Sequence, residues 1–388
     1  MQLSWIELDR AALHHNIQQF RQRLNPSCAL LVPVKANAYG HGLTQMAPAF
    51  IDAGVQWLGV HSLEEAQAVQ AMRLECPILV LGHIARQELH HIVGTSMRPM
   101  ITQVESIDVL AQYATQRQIR VPIHLKVETG TNRQGLQGQA LITLAQRIQD
   151  HSYLQLEGCY THFANIEDTT DHTYAMYQWE TFKTVQRDLA QAKIHVPMMH
   201  AAASAATMLF PQTHQDMVRT GISAYGLWPS KETYVSLQHE SQQPRTLHPI
   251  LSWKTRVSQV KDVPADAFVG YGCTYRTTRP TRLAIRPVGY YDGVDRRLSN
   301  LGYVLIHGRR APIRGRVCMN LTMVDVTDIP QTQLEDTVVL LGTQQQESIS
   351  AETWASWCGT IHYEILARLP AHIPRMWDVK TSQMTKDT

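Results

Sequence analysis

The run "LLVPVKANAYGHG" (residues 30–42) ends an apolar stretch on a lysine and then breaks into Asn, Tyr, Gly, His and Gly. Leu30 to Lys35 reads as a buried strand with Lys35 at its C-terminal end. Lysine is rarely buried without a partner, and its amine becomes a useful base or nucleophile when burial lowers its pKa. A lysine at a strand end can equally run its ammonium out to solvent. The company it keeps decides between the two. His61, His83, Lys126, His162, His200 and Arg219 also end or follow short apolar runs. Such a set supplies proton carriers and anion-binding cations from many separate segments. "HIARQELHH" (residues 83–91) is different: it has no H-E-x-x-H spacing and reads as surface histidines rather than a metal site.

The segments that must position these residues alternate. Apolar runs occur at "ALLVPV", "QWLGV", "PILVL", "RPMIT", "PIHLKV", "LQLEGCY", "VPMMH" and "DMVRTGI". Between them lie amphipathic stretches such as "SLEEAQAVQAMR" and "VESIDVLAQYATQRQ", with acidic first turns and apolar spacings of three and four. Strand then helix, eight times over, predicts an α/β fold of the (β/α)8 barrel type, in which polar residues at strand C-termini face the active site. An open doubly wound sheet is the alternative, and eight repeats disfavour it. The polar segment "QHESQQPRTLHP" (residues 238–249) reads as a linker, and beyond it "LSWKTRVSQV", "TRLAIRPVGY" and "DTVVLLGT" are β-rich. The expected organisation is a barrel over residues 1–240, its first few residues joining the second domain, and a mostly β domain over 241–388.

Composition bounds the partners. At 388 residues two domains are the natural expectation, and 44% hydrophobic with 18% charged residues suits a chain with a large core. A net charge of +2 gives no case for nucleic acid or an anionic membrane surface. The six cysteines have no C-x-x-C spacing. The first residues lack the basic start and apolar run of a signal peptide, and no stretch has the length of a membrane helix, so a cytoplasmic protein is expected.

Several blocks together resemble the alanine racemase family. They are "WIELDRAALHHNI", "VPVKANAYGHG", "HLKVETGTNRQG", "EGCYTHFAN", "HAAASAAT", "DMVRTGISAYGL", "GYGCTY", "GYYDGVDRRLSN", "GRVCMNLTMVDVTD" and "HYEILARLPAHIPR", in the family's order and across nearly the whole chain. The resemblance implies pyridoxal 5'-phosphate (PLP) as cofactor, alanine as substrate, and a homodimer whose active sites form between subunits. It also implies a D-alanine supply for peptidoglycan. Lys35 would carry PLP as a Schiff base and serve as one base, with Tyr271 as the second. A phenol, with an ordinary pKa of about 10, needs cationic or hydrogen-bonding neighbours to act near neutrality; His162 is the expected neighbour. Arg219 would meet the pyridine nitrogen, oriented by His200. Tyr39, Ser204 and Tyr363 would bind the phosphate through hydroxyls, and Gly221 and Ile222 through backbone N–H groups. Arg133 and the backbone of Met319 would hold the substrate carboxylate. Lys126 matches a lysine often carbamylated in the family, where the resulting anion holds Arg133.

Each residue also has a plainer reading: Tyr271 as a cross-strand tyrosine, Arg219 as a partner of Asp216, Lys126 as a surface lysine. Glu128, Thr131, Ala203 and Asn320 depart from the commonest family pattern, and Thr131 and Asn320 leave substrate breadth open. A serine or broad-specificity racemase is therefore the alternative. A non-catalytic PLP-binding barrel would lack the second domain, and a PLP decarboxylase would need other motifs in place of "GYGCTY" and "GRVCMN".

Overall fold

The computed structural model describes residues 2–240 and 246–378. The expected boundary between residues 240 and 241 abuts the segment 241–245, which lies outside the described residues. The chain forms two compact units, one of residues 12–36 and 46–248, the other of residues 1–11, 37–45 and 249–388.

The first strand, β1 (Ser4–Leu8), belongs to the second unit. It pairs antiparallel with strand Leu251–Arg256, Ile6 opposite Trp253, and parallel with strand Arg375–Trp377. The barrel strands follow: β2 (Ala29–Pro33), β3 (Trp57–Val60), β4 (Ile78–Val80), β5 (Met97–Ile101), β6 (Val121–Lys126), β7 (Leu154–Tyr160), β8 (Met198–His200) and β9 (Met217–Arg219). All pairs are parallel, in the order β8-β7-β6-β5-β4-β3-β2-β9. The remaining gap between β8 and β9 is spanned by Asp216 N–H to Met199 C=O (3.1 Å) and Met199 N–H to the Asp216 carboxylate (2.8 Å). The barrel is thus nearly closed.

These strands are buried on both faces, which is why they read as continuous apolar runs rather than alternating ones. Leu31, Trp57, Leu79 and Met217 pack together, with Ala29, Leu81 and Met198 against them. Several of these residues open their strands, so the barrel's N-terminal end is plugged with apolar side chains. Its C-terminal ends carry Lys126, His200 and Arg219 as last residues, with Lys35, His61, His83 and His162 just beyond the ends of their strands.

In the second unit a seven-stranded sheet holds β1 between strands 251–256 and 375–377. A three-stranded sheet (259–263, 281–286 and 322–325) and a two-stranded ribbon (268–269 with 275–276) complete the β structure. Helices Ala351–Cys358 and His362–Ala367 also belong to this unit.

Candidate active site

The chain leaves β2 through a helical turn at Lys35–Tyr39 in which Ala36, Asn37, Ala38 and Tyr39 all have φ between 50° and 53°. This is a left-handed turn made without glycine, each residue at a cost of about 1–2 kcal/mol relative to the right-handed form. Local hydrogen bonds hold it. Glu65 accepts the Ala36 N–H on one carboxylate oxygen and the His61 N–H on the other, both at 2.7 Å. Farther along, the Asn37 side-chain carbonyl accepts the Leu43 N–H (2.8 Å), and its backbone carbonyl accepts the Gly42 N–H (2.9 Å). Glu65 can reach both N–H groups because Ser62 caps helix Leu63–Ala71 and sets Glu65 in its first turn.

The barrel mouth is dominated by positive charge. Arg219, Arg133, Lys126 and Lys35 all act on His162, and Lys126 lies within reach of the other three cations. Burial, then Arg133, lowers the Lys35 amine, with Glu65 pulling the other way. Burial, then Arg133 and Arg219, brings Lys126 down to about 8, against the pull of Glu128. His162 is held well below its ordinary value by burial and then by all four cations.

Arg133 sits on a loop that Glu128 organises. The Glu128 carboxylate accepts the N–H groups of Gly130 (2.6 Å), Thr131 (2.6 Å) and Arg133 (3.1 Å). Burial would raise this carboxyl, but the backbone donors outweigh it and leave the pKa lowered. The loop returns onto β6 through Glu128 N–H to Leu136 C=O and Leu136 N–H to Lys126 C=O. It can do so because Gly135 has φ +142 and no Cβ, which would fall 2.4 Å from the Glu128 nitrogen. Thr131 donates its hydroxyl to the His162 carbonyl at 2.6 Å. The departure residues Glu128 and Thr131 therefore build the loop.

Arg219 is buried, and it donates to the Thr161 carbonyl (2.7 Å), the Ala201 carbonyl (3.0 Å) and His200 Nδ1 (2.8 Å). It does not pair with Asp216, whose carboxylate is taken by Met199. Its guanidinium also lies 5.0 Å from the centre of the Tyr160 ring, which stacks on His200. Burial lowers Arg219 to about 10, so it remains a cation near neutrality. Just beyond it, Thr220 Oγ1 and Ser223 Oγ are buried without a hydrogen-bond partner on either side of Gly221 and Ile222. Ser204, buried, opens helix Ser204–Leu209, where Ala203 offers no side-chain cap.

The other candidates lie in the second unit. Tyr39 and Tyr363 approach each other with ring centres 6.4 Å apart. Tyr271 and Met319 are 73% and 56% exposed. They share an open cleft of ≈ 400 Å³ with Tyr290, Arg296, Arg316 and Asn320.

Taken together, the described residues form a nearly closed parallel barrel with a cationic mouth and a second, mostly β unit. Family comparison is specific. The alanine racemase N-terminal domain matches residues 8–229 and the C-terminal domain residues 250–377. An alanine racemase of Leptospira interrogans is 40% identical over 375 residues, covering 96% of this chain and 95% of the relative. Among solved structures, alanine racemase from Bacillus anthracis with bound L-Ala-P superposes with a TM-score of 0.90 at 31% identity, covering 97% and 95% of the two chains. Alanine racemase from Bartonella henselae with covalently bound pyridoxal phosphate gives 0.84 at 27% identity, covering 97% and 100%. The chain belongs to the alanine racemase family, PLP-dependent isomerases, and is an enzyme of that class.

Proposed function

We propose that this enzyme interconverts L-alanine and D-alanine, with PLP held at the barrel mouth. The observation that carries the reading is the convergence of Lys35, Arg133 and Arg219 around one mouth, with Lys126 beside them. Lys35, Arg133 and Arg219 suit a dianionic phosphate and an amino-acid carboxylate. The buried hydroxyls Thr220 and Ser223, which lack partners within the protein, fit the same group. When bound, PLP supplies the electron sink that acidifies the substrate Cα–H.

The residues would divide the work as follows. Lys35 would hold the cofactor covalently in the resting enzyme. Once released by a substrate amine that takes its place, its own amine, lowered by burial and by Arg133, would take up or return a proton on one face of the substrate Cα. Tyr271 does the same on the other face. Arg219 can only donate, so it would offer a hydrogen bond to the pyridine nitrogen of the bound cofactor; His200 holds Arg219, and His162 lines the mouth. Tyr39, Ser204 and Tyr363 hydroxyls and the Gly221 and Ile222 N–H groups bind phosphate. Arg133 and the Met319 N–H bind the substrate carboxylate. Carbamylated Lys126 supplies the anion that keeps Arg133 in place.

Tyr271 and Met319 are exposed on the β unit, which supports a homodimer in which each copy lends them to the other's barrel. Family membership further supports a cytoplasmic role supplying D-alanine to peptidoglycan. No helix among the described residues is long and apolar enough to cross a membrane.

The test is a panel of single enantiomers of alanine, serine and larger amino acids, followed by optical rotation or chiral chromatography. Alanine should be interconverted fastest in both directions. Borohydride reduction of the loaded enzyme, followed by peptide mapping, should place the pyridoxyl group on Lys35. A label on another lysine, or a preference for serine, would overturn the corresponding part.

A further inference from the structure

Arg219 is the first member of a longer chain of buried contacts. His200 accepts from Arg219 at Nδ1, and its Nε2 lies 3.0 Å from His124 Nδ1. His124 Nε2 lies 3.1 Å from Glu157 Oε2. Arg98 donates to the same carboxylate through Nε (3.1 Å) and Nη2 (3.4 Å). Both histidines are fully buried. The chain thus runs from β9 through β8, β6 and β7 to β5, across the barrel interior.

The room for it is built in. A Cβ on Gly158 would fall 2.3 Å from the His124 ring, so the glycine in β7 is what admits that imidazole. The register of β6 on β7 shifts between Ile123 and His124. Trp57 packs against the His124 ring with centres 5.6 Å apart.

The proton positions follow from the ends. An arginine can only donate, and an ionised carboxylate can only accept. Burial would raise Glu157, but the His124 hydrogen bond and Arg98 outweigh it and lower its pKa, so the carboxylate end is secure. Burial lowers both histidines, most strongly His200, so each is neutral with one donor and one acceptor. Only one arrangement satisfies every contact. His200 carries its proton on Nε2 and donates to His124, and His124 carries its own on Nε2 and donates to Glu157. Reversing either ring would put two donors face to face, or leave a carboxylate opposite a lone pair.

We propose that Glu157 and His124 are positioning residues that lock the His200 tautomer and thereby hold Arg219 in place, with Arg98 anchoring the carboxylate end. The catalytic part of this inference rests on Arg219 serving the cofactor as proposed above; the tautomer part does not.

The test uses enzyme labelled with 15N-histidine. In the intact protein, the ring nitrogens of His124 and His200 should show the Nε2–H pattern. Glu157→Gln keeps an acceptor oxygen and should largely preserve that pattern. The double variant Arg98→Met/Glu157→Leu removes both charges, leaving no ion unpaired, and should fold where Glu157→Leu alone fails. In it His200 should lose its single tautomer, and kcat should fall about tenfold to a hundredfold through misplacement of Arg219, with KM for alanine little changed. A His200 tautomer unchanged in the double variant overturns the inference, as does an unchanged kcat. If the parent enzyme itself proves inactive on alanine, the functional reading fails while the nitrogen spectra still judge the relay.

Discussion

Tyr271 and Lys126 are the residues whose chemistry is most open to direct measurement. If Lys35 and Tyr271 serve opposite faces of the substrate, Tyr271→Phe should reduce racemisation by about 10² to 10⁴ while cofactor absorbance persists. The variant should still exchange the Cα proton of one enantiomer, expected to be D-alanine, with deuterium from solvent, and the other far more slowly. Equal residual exchange of both would argue for a single mobile base. Lys126 makes a second case. Its amine is brought down to about 8 by burial and by its cationic neighbours. The neutral amine is the form that adds to CO2, giving a carbamate and releasing a proton. Since the folded pKa is lowered, that form accumulates as pH rises through about 8 instead of near 10.5. With 13C-bicarbonate, a carbamate signal should therefore grow over this range and vanish in Lys126→Met. Absence of the signal in the parent enzyme would remove the proposed support of Arg133.

Among the elements, the left-handed turn after β2 depends on one carboxylate. Glu65 serves two backbone N–H groups, at Ala36 and His61. Glu65→Gln would turn an amide NH2 toward one of them and should cost about 1–3 kcal/mol. Urea unfolding would show the loss, and alanine turnover should drop with it because Lys35 adjoins the turn. Unaltered stability would mean the turn is held elsewhere. This element also shows where sequence reading stops. The eight barrel strands were legible because two-sided burial writes each as an apolar run, with the candidate residues at its end. The handedness of "KANAY" was not, since no glycine marks it before Gly40. Glu65 looked like an ordinary acidic first-turn residue, and Glu128 looked like a departure. The His124–Glu157 contact joins residues 33 apart; its sole local sign was Gly158 inside a buried strand. The pairing of β1 with residues some 250 positions later had only a hint in the expectation that the first residues join the second domain.

At the scale of the whole molecule, the proposed homodimer with active sites shared between subunits would make activity a property of the pair. Lys35→Ala and Tyr271→Phe chains, each crippled alone, should regain activity when mixed, because one site of a mixed dimer then has both residues. No recovery despite proven exchange of subunits would place both residues of a site in one chain. The position of β1 reaches further. It lies between strands 251–256 and 375–377, so the β unit draws an inner strand from the opposite end of the gene. Cutting the gene within codons 241–245 would not release two modules. The downstream product would bare two strand edges that β1 normally covers, and such edges invite aggregation. It should be insoluble when made alone and recovered when the upstream product is made beside it. Chimeras between relatives face the same constraint: a transplanted β unit must bring residues 1–11 and 37–45 together with everything from 249 onward.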